Sequence, residues 1–118
     1  MKFMLLIYGN EKVWDEAGRA PCYEESARFA RELKSAGQYI AAAPLHPVAT
    51  ATSVRVQGGK QIVTDGPFAE THEQLGGYFL VDVPDLDAAI SIAGRIPAGR
   101  LGTVEIRPVL EIPGLPEG

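Results

Sequence analysis

Apolar residues along the chain fall into short runs broken by Gly, Pro and Asn, and the periods of those runs define the elements. Residues 3–8 (FMLLIY) form a continuous apolar run ended by Gly9-Asn10. Such a run fits a strand buried on both faces. Residues 10–20, with Trp14 and several charges, carry no period and read as loop. Pro21 suits the first turn of a helix, where its missing N–H costs nothing. Cys22, Ser26, Phe29, Ala30, Leu33 and Ala36 then recur at helical spacing, and Gly37 stands at the C-terminal position. Residues 39–45 form a strand of small side chains closed by Pro44 and Pro47. Residues 52–57 alternate, with Val54 and Val56 on one side and Ser53, Arg55 and Gln57 on the other. Gly58-Gly59 is a two-residue hairpin signal, and residues 61–64 return. The run 78–83 is a second wholly apolar strand. After Pro84, Asp85 is a good N-cap for a second helix with Leu86, Ala89, Ile90 and Ala93 on its inner face, ending before Pro97. Residues 103–107 alternate as a last strand, and Pro108 makes it an edge.

Setting the hairpin arm aside, this order is βαββαβ, the ferredoxin-like α+β arrangement: an antiparallel sheet with both helices on one face. The strands at 3–8 and 78–83 are apolar on both sides, yet two helices cover only one. The other side is then a contiguous apolar patch, and such patches mark interfaces. The expectation is a face-to-face homodimer with a cleft between the two sheets. The competing expectation is that the loops at 10–20 and 43–50 fold over that face.

Composition narrows the classes of function. The 118 residues fit one domain, assigned to residues 1–112 with a fraying Pro- and Gly-rich tail at 113–118. A net charge of −4 with scattered Lys and Arg argues against nucleic acid as a partner. No run approaches the ~18 apolar residues of a membrane span. A single cysteine, Cys22, excludes an internal disulfide and fits a reducing, cytoplasmic compartment.

The chemistry concentrates between the hairpin and the strand at 78. Asp65-Gly66-Pro67 is a turn signal whose carboxylate either bonds its own backbone or is aimed into a cleft. Glu70, His72, Glu73 and Gln74 follow in a polar loop ended by Gly76-Gly77. Asp65, Glu70 and His72 are the candidate catalytic residues. Histidine exchanges protons near neutral pH, and a carboxylate beside it orients the ring. A solvated loop with surface ion pairs is the bland alternative. Tyr8, Phe68, Gln74, Gly76, Gly77 and Tyr78 are the candidate ligand-binding residues. His46, before Pro47, reads as a capping or packing residue and Cys22 as a buried, inert thiol. No HExxH motif or paired cysteines are present, so neither a metal nor a cofactor is expected.

The stretch VTDGPFAET, with EQLGGYFLVDVPDLDAA after it, MKFMLLIYG at the start, TATSVRV before the hairpin and VEIRPV near the end, resembles the YCII-related family. Within that family it resembles the branch named for its Asp-Gly-Pro-Phe motif, here Asp65 to Phe68. The resemblance implies a ferredoxin-like fold, a dimeric α/β barrel and a cleft where the signature loop meets the partner subunit. A more distant branch includes a cofactor-independent lactone dehalogenase. Members of this branch are often encoded beside extracytoplasmic-function sigma factors. Where many relatives carry Lys between Thr71 and Glu73, this chain has His72. Two functions follow as expectations: a cofactor-independent acid–base enzyme acting on a small metabolite, or a non-catalytic small-molecule-binding or regulatory module.

Overall fold

The computed structural model describes residues 1–13 and 16–116. Trp14 lies outside the described residues. Among the described residues eight principal elements occur: β1 (Lys2–Gly9), α1 (Glu16–Ser35), β2 (Tyr39–Pro44), β3 (Thr52–Gln57), β4 (Lys60–Asp65), β5 (Gln74–Asp82), α2 (Leu86–Ala93) and β6 (Gly102–Pro108). Short 3₁₀ turns at Glu11–Val13, Val48–Thr50 and Pro97–Leu101 join them. Four strands form one antiparallel sheet in the order β2-β5-β1-β6, the ferredoxin-like order, and β3 and β4 pair as a separate ribbon.

Alternation along the central strands decides which side faces the helices. On β1, Phe3, Leu5 and Ile7 are buried; on β5, Phe79, Val81 and Val83 are. Phe29 and Leu33 from α1 and Ala89 and Ile92 from α2 pack on that side, closing the core. The Phe29 and Phe79 rings meet at a centroid distance of 5.9 Å, and the Arg95 guanidinium lies 5.1 Å from the Phe29 ring centre. Among the described residues no polar side chain is buried.

The opposite side is not buried within one chain. Pairing register places Met4, Leu6 and Tyr8 of β1 with Tyr78 and Leu80 of β5 there, beside Ala41 and Ala43. All are partly exposed. The continuous apolar runs therefore have one buried side and one half-open side.

Three local expectations need correction. The first helix begins at Glu16, not Pro21, which lies inside it. The extra N-terminal turn, residues 16–20 (EAGRA), carries no apolar period to announce it. Gly76-Gly77 does not end a loop: β5 already starts at Gln74. Its ladder with β1 slips between Ile7 and Tyr8, leaving Gly76 as the extra residue of a bulge. On α2 the inner face is Ala89 and Ile92, whereas Leu86 and Ile90 are half exposed. The short helix is rotated so that Ile92, followed by Ile96, fills the core. Its predicted N-cap is in place, with the Asp85 carboxylate accepting from the Ala88 N–H at 2.9 Å.

The hairpin turn also matches the pattern. Gly58 and Gly59 have φ of 57° and 76°, the two positive values of a type I′ turn.

The rotation of α2 is checked by substitution. Ile92→Ala removes an almost fully buried side chain of α2 and lowers unfolding free energy in urea by about 2–5 kcal/mol. Leu86→Ala, on the outward face, costs less than about 1 kcal/mol.

Candidate functional site

Small side chains on facing elements leave a space between α1 and one end of the sheet. Ala27 and Ala30 on α1 stand over Ala42 on β2 and Gly77 on β5, whereas Phe29, Leu33 and Phe79 fill the core further along. The result is a cavity of about 410 Å³, floored by Ile7, Ala42 and Phe79 and roofed by Cys22, Ser26, Ala27 and Ala30. Gly77 belongs to its wall for a steric reason. A Cβ there would come within 2.9 Å of the Ala43 carbonyl oxygen, so only glycine lets β5 approach β2 this closely.

Polar groups gather at the rim. Glu11, Arg19, Tyr23, His46 and Gln74 all contribute. Glu11 ties four segments together. Its carboxylate accepts from the Val48 N–H, both oxygens at 3.2 Å. Its own N–H donates to the Gln74 Oε1 at 3.1 Å, and its carbonyl accepts from the Arg19 Nη2 at 3.3 Å. The Gln74 Nε2 donates to the carbonyls of Thr71 at 2.7 Å and His72 at 3.4 Å. Gln74 thus ties the signature loop to the cavity edge.

The roof is held from outside. Arg100 grips the Glu25 carboxylate of α1 with two nitrogens, at 2.8 and 2.9 Å, in a forked pair. That hydrogen-bonded guanidinium holds the Glu25 carboxyl below its ordinary range. Burial pushes the Cys22 thiol up, with the Ser26 hydrogen bond opposing it, so Cys22 stays protonated and weakly nucleophilic at neutral pH.

The sequence-predicted residues divide. Gln74, Gly76, Gly77 and Tyr78 line the cavity; Tyr8 and Phe68 do not. Asp65 ends β4, while Glu70 and His72 lie on the exposed loop beyond it. Among the described residues no hydrogen bond or ion pair joins Asp65, Glu70 and His72 to one another. Glu73 bonds instead to Thr103, whose Oγ1 donates to its carboxylate at 2.9 Å. The Asp65-Gly66-Pro67 turn closes the base of the β3–β4 ribbon: the Gly66 N–H donates to Ala51 and its carbonyl accepts from the Ser53 hydroxyl, each at 2.7 Å. A Gly66 φ of 105° explains the glycine. Sequence reasoning gave no site role to Glu11, Arg19 or Tyr23, and read His46 and Cys22 as packing residues. The available signal was the run of alanines at 41–43, whose middle residue, Ala42, lines the cavity with Ala27 and Ala30. Among the described residues no group of three His, Cys, Asp or Glu side chains has metal-binding geometry.

Fold and cavity together define a small ferredoxin-like α+β domain with a ligand-sized space between helix and sheet. Residues 1–113 match the family model of the YCII-related domain, and the chain belongs to that family. It is also 36% identical over 118 residues to an uncharacterized protein of Rhizobium meliloti (strain 1021), covering 92% of this chain and 92% of that one.

Two outcomes test this geometry. Gln74→Ala removes the acceptor for the Glu11 N–H and the donor to Thr71; amide exchange at Glu11 accelerates and stability falls by about 1–2 kcal/mol. For the roof, the folded pKa of Glu25 lies below its unfolded value, so the clamp contributes fully above the unfolded pKa and is lost as pH falls through the folded one. Hydrogen exchange in the Pro97–Leu101 turn, corrected for intrinsic rates, accelerates on that acidification, and Arg100→Gln removes the dependence.

Proposed function

We propose that this protein is a cofactor-independent acid–base enzyme whose substrate is a small metabolite with an apolar body and an anionic group, held in the cavity beneath α1. One observation carries the reading: a cavity of about 410 Å³ whose lining is mostly apolar and includes a few polar groups, among them Glu11, Arg19, His46 and Gln74. Ligand sites have this size and this division of labour, the walls burying the ligand and a few polar groups orienting it. Arg19 is the rim cation. Its Nη2 donates to the Glu11 carbonyl oxygen at 3.3 Å. A guanidinium so placed suits a carboxylate.

Proton transfer falls to the imidazoles. His46 lines the cavity itself. His72 stands on the loop that Gln74 tethers to the rim, with Asp65 and Glu70 upstream of it. In this reading the loop folds inward on ligand binding and brings His72 with one of those carboxylates to the rim, since catalytic contacts often tighten only in the complex. The chain is placed in the Asp-Gly-Pro-Phe branch of its family on residues 65–68, and in the cytoplasm on its lone cysteine. A second copy covers the open sheet side.

A second reading has its own support. The lack of contacts among Asp65, Glu70 and His72 favours a ligand-binding module without turnover; the family resemblance alone suggests an extracytoplasmic-function sigma factor as its partner. Turnover separates the two.

Binding of small carboxylic acids, followed by calorimetry, tests the site. Arg19→Gln weakens a carboxylate ligand about 10-fold or more and leaves its neutral amide unchanged. Equal loss for both, or for neither, removes the role of Arg19. With a turned-over substrate, His46→Gln and His72→Gln show which imidazole sets the pH profile; a profile that neither variant alters removes the acid–base assignment.

A further inference from the structure

The cavity beneath α1 carries both signs of charge. Among the described residues that line it, Arg19 is the one Arg or Lys and Glu11 the one Asp or Glu. Both are half-buried, and they are joined: the Arg19 Nη2 donates to the carbonyl oxygen of Glu11 at 3.3 Å. That bond goes to the main chain, so it does not neutralise the Glu11 carboxylate. The carboxylate itself is held in place, with both oxygens 3.2 Å from the Val48 N–H. A carboxylate offers about four acceptor positions. One neutral N–H shared between its two oxygens cancels none of its charge. The Glu11 N–H donates to the Gln74 Oε1 at 3.1 Å, so the acid stands on a braced turn.

These two charges restrict what the cavity can hold. A ligand with only a carboxylate gains at Arg19 but brings a second negative charge close to Glu11, where like charges repel. A ligand with only an amine meets the reverse conflict at Arg19. A ligand with both signs on neighbouring atoms satisfies both groups. We propose that the cavity takes a free 2-amino acid with a large apolar side chain. Its carboxylate meets Arg19, its ammonium meets Glu11, and its side chain enters the space between α1 and the sheet. The inference rests on the carboxylate role given to Arg19 above and narrows it to one class of ligand.

Size and lining agree with this occupant. Ile7, Ala27, Ala30, Ala42 and Phe79 enclose apolar space, and about 410 Å³ lies near the lower end of the range for ligand sites. The bracing of Glu11 also matters, because a charge fixed before the ligand arrives need not be ordered on binding. Three unlike groups then hold three substituents of one carbon, so only one enantiomer makes all three contacts.

Calorimetric titration of the full chain with three probes that share one ring supplies the test: phenylalanine, 3-phenylpropanoate, which lacks the ammonium, and 2-phenylethylamine, which lacks the carboxylate. One enantiomer of phenylalanine binds about 10-fold or more tighter than either of the others, the scale of one charge-assisted hydrogen bond. Glu11→Gln keeps an acceptor for the Val48 N–H and removes the charge. It weakens phenylalanine about 10-fold and does not weaken 3-phenylpropanoate, while exchange of the Val48 amide stays at the wild-type rate. Wild-type protein that binds phenylalanine no better than 3-phenylpropanoate overturns the proposal, as do equal affinities for the two enantiomers or a Glu11→Gln variant that weakens both acids alike. The comparison of probes on the wild type decides the matter alone if the variant loosens the turn. If 3-phenylpropanoate binds through Arg19 and the ammonium adds nothing, the carboxylate site stands and the amino acid falls. If none of the three binds, both fall.

Discussion

Everything in this structure depends on one layer of helices serving a sheet that is apolar on both sides. Phe3, Leu5, Ile7, Phe79 and Val81 point one way and are sealed by α1 and α2. Met4, Leu6, Tyr8, Tyr78 and Leu80 point the other way and remain partly exposed. The helix side supplies the folding energy, since burial of large side chains there removes most apolar surface from water. The open side contributes little to the isolated chain and leaves apolar surface available for association.

The helix layer is itself uneven, and that unevenness makes the cavity. Where α1 carries Phe29 and Leu33 it meets Phe79 and closes. Where it carries Ala27 and Ala30 it meets Ala42 and Gly77 and cannot close. Interiors pack to high density, so a space of this size beside a filled core reflects the choice of residues rather than loose packing. The elements around the gap are fastened to one another instead. Glu11 joins the turn after β1 to Val48, Gln74 joins that turn to β5, and Arg100 grips α1 from outside.

The fold was legible because its signals are local. The apolar runs at 3–8 and 78–83, the Gly58-Gly59 turn and the Asp85 cap each name an element from a few adjacent residues, and the order of elements names the topology. The candidate site was legible only in part. Gln74, Gly76, Gly77 and Tyr78 drew notice as the end of a signature loop, and they line the cavity as the start of β5. Arg19 and Glu11 sit in a segment without hydrophobic period, so nothing nearby in sequence shows that α1 already includes Arg19 or that the turn at Glu11 bonds to it. His46 and Cys22 were visible as residues, but their place at a cavity depends on the small side chains facing them from another element. That relation between Ala42 and Ala27 and Ala30 is a matter of tertiary packing. The outward turn of Leu86 and Ile90 has the same origin: an eight-residue helix offers too few turns for spacing alone to fix its rotation.

The central claim is that the space beneath α1 holds the ligand. NMR of alanine-methyl-labelled protein titrated with a panel of small carboxylic acids tests it most directly. The account predicts saturable shifts centred on the methyl groups of Ala27, Ala30 and Ala42. Saturable shifts confined to other methyl groups, with those three unmoved, would contradict it.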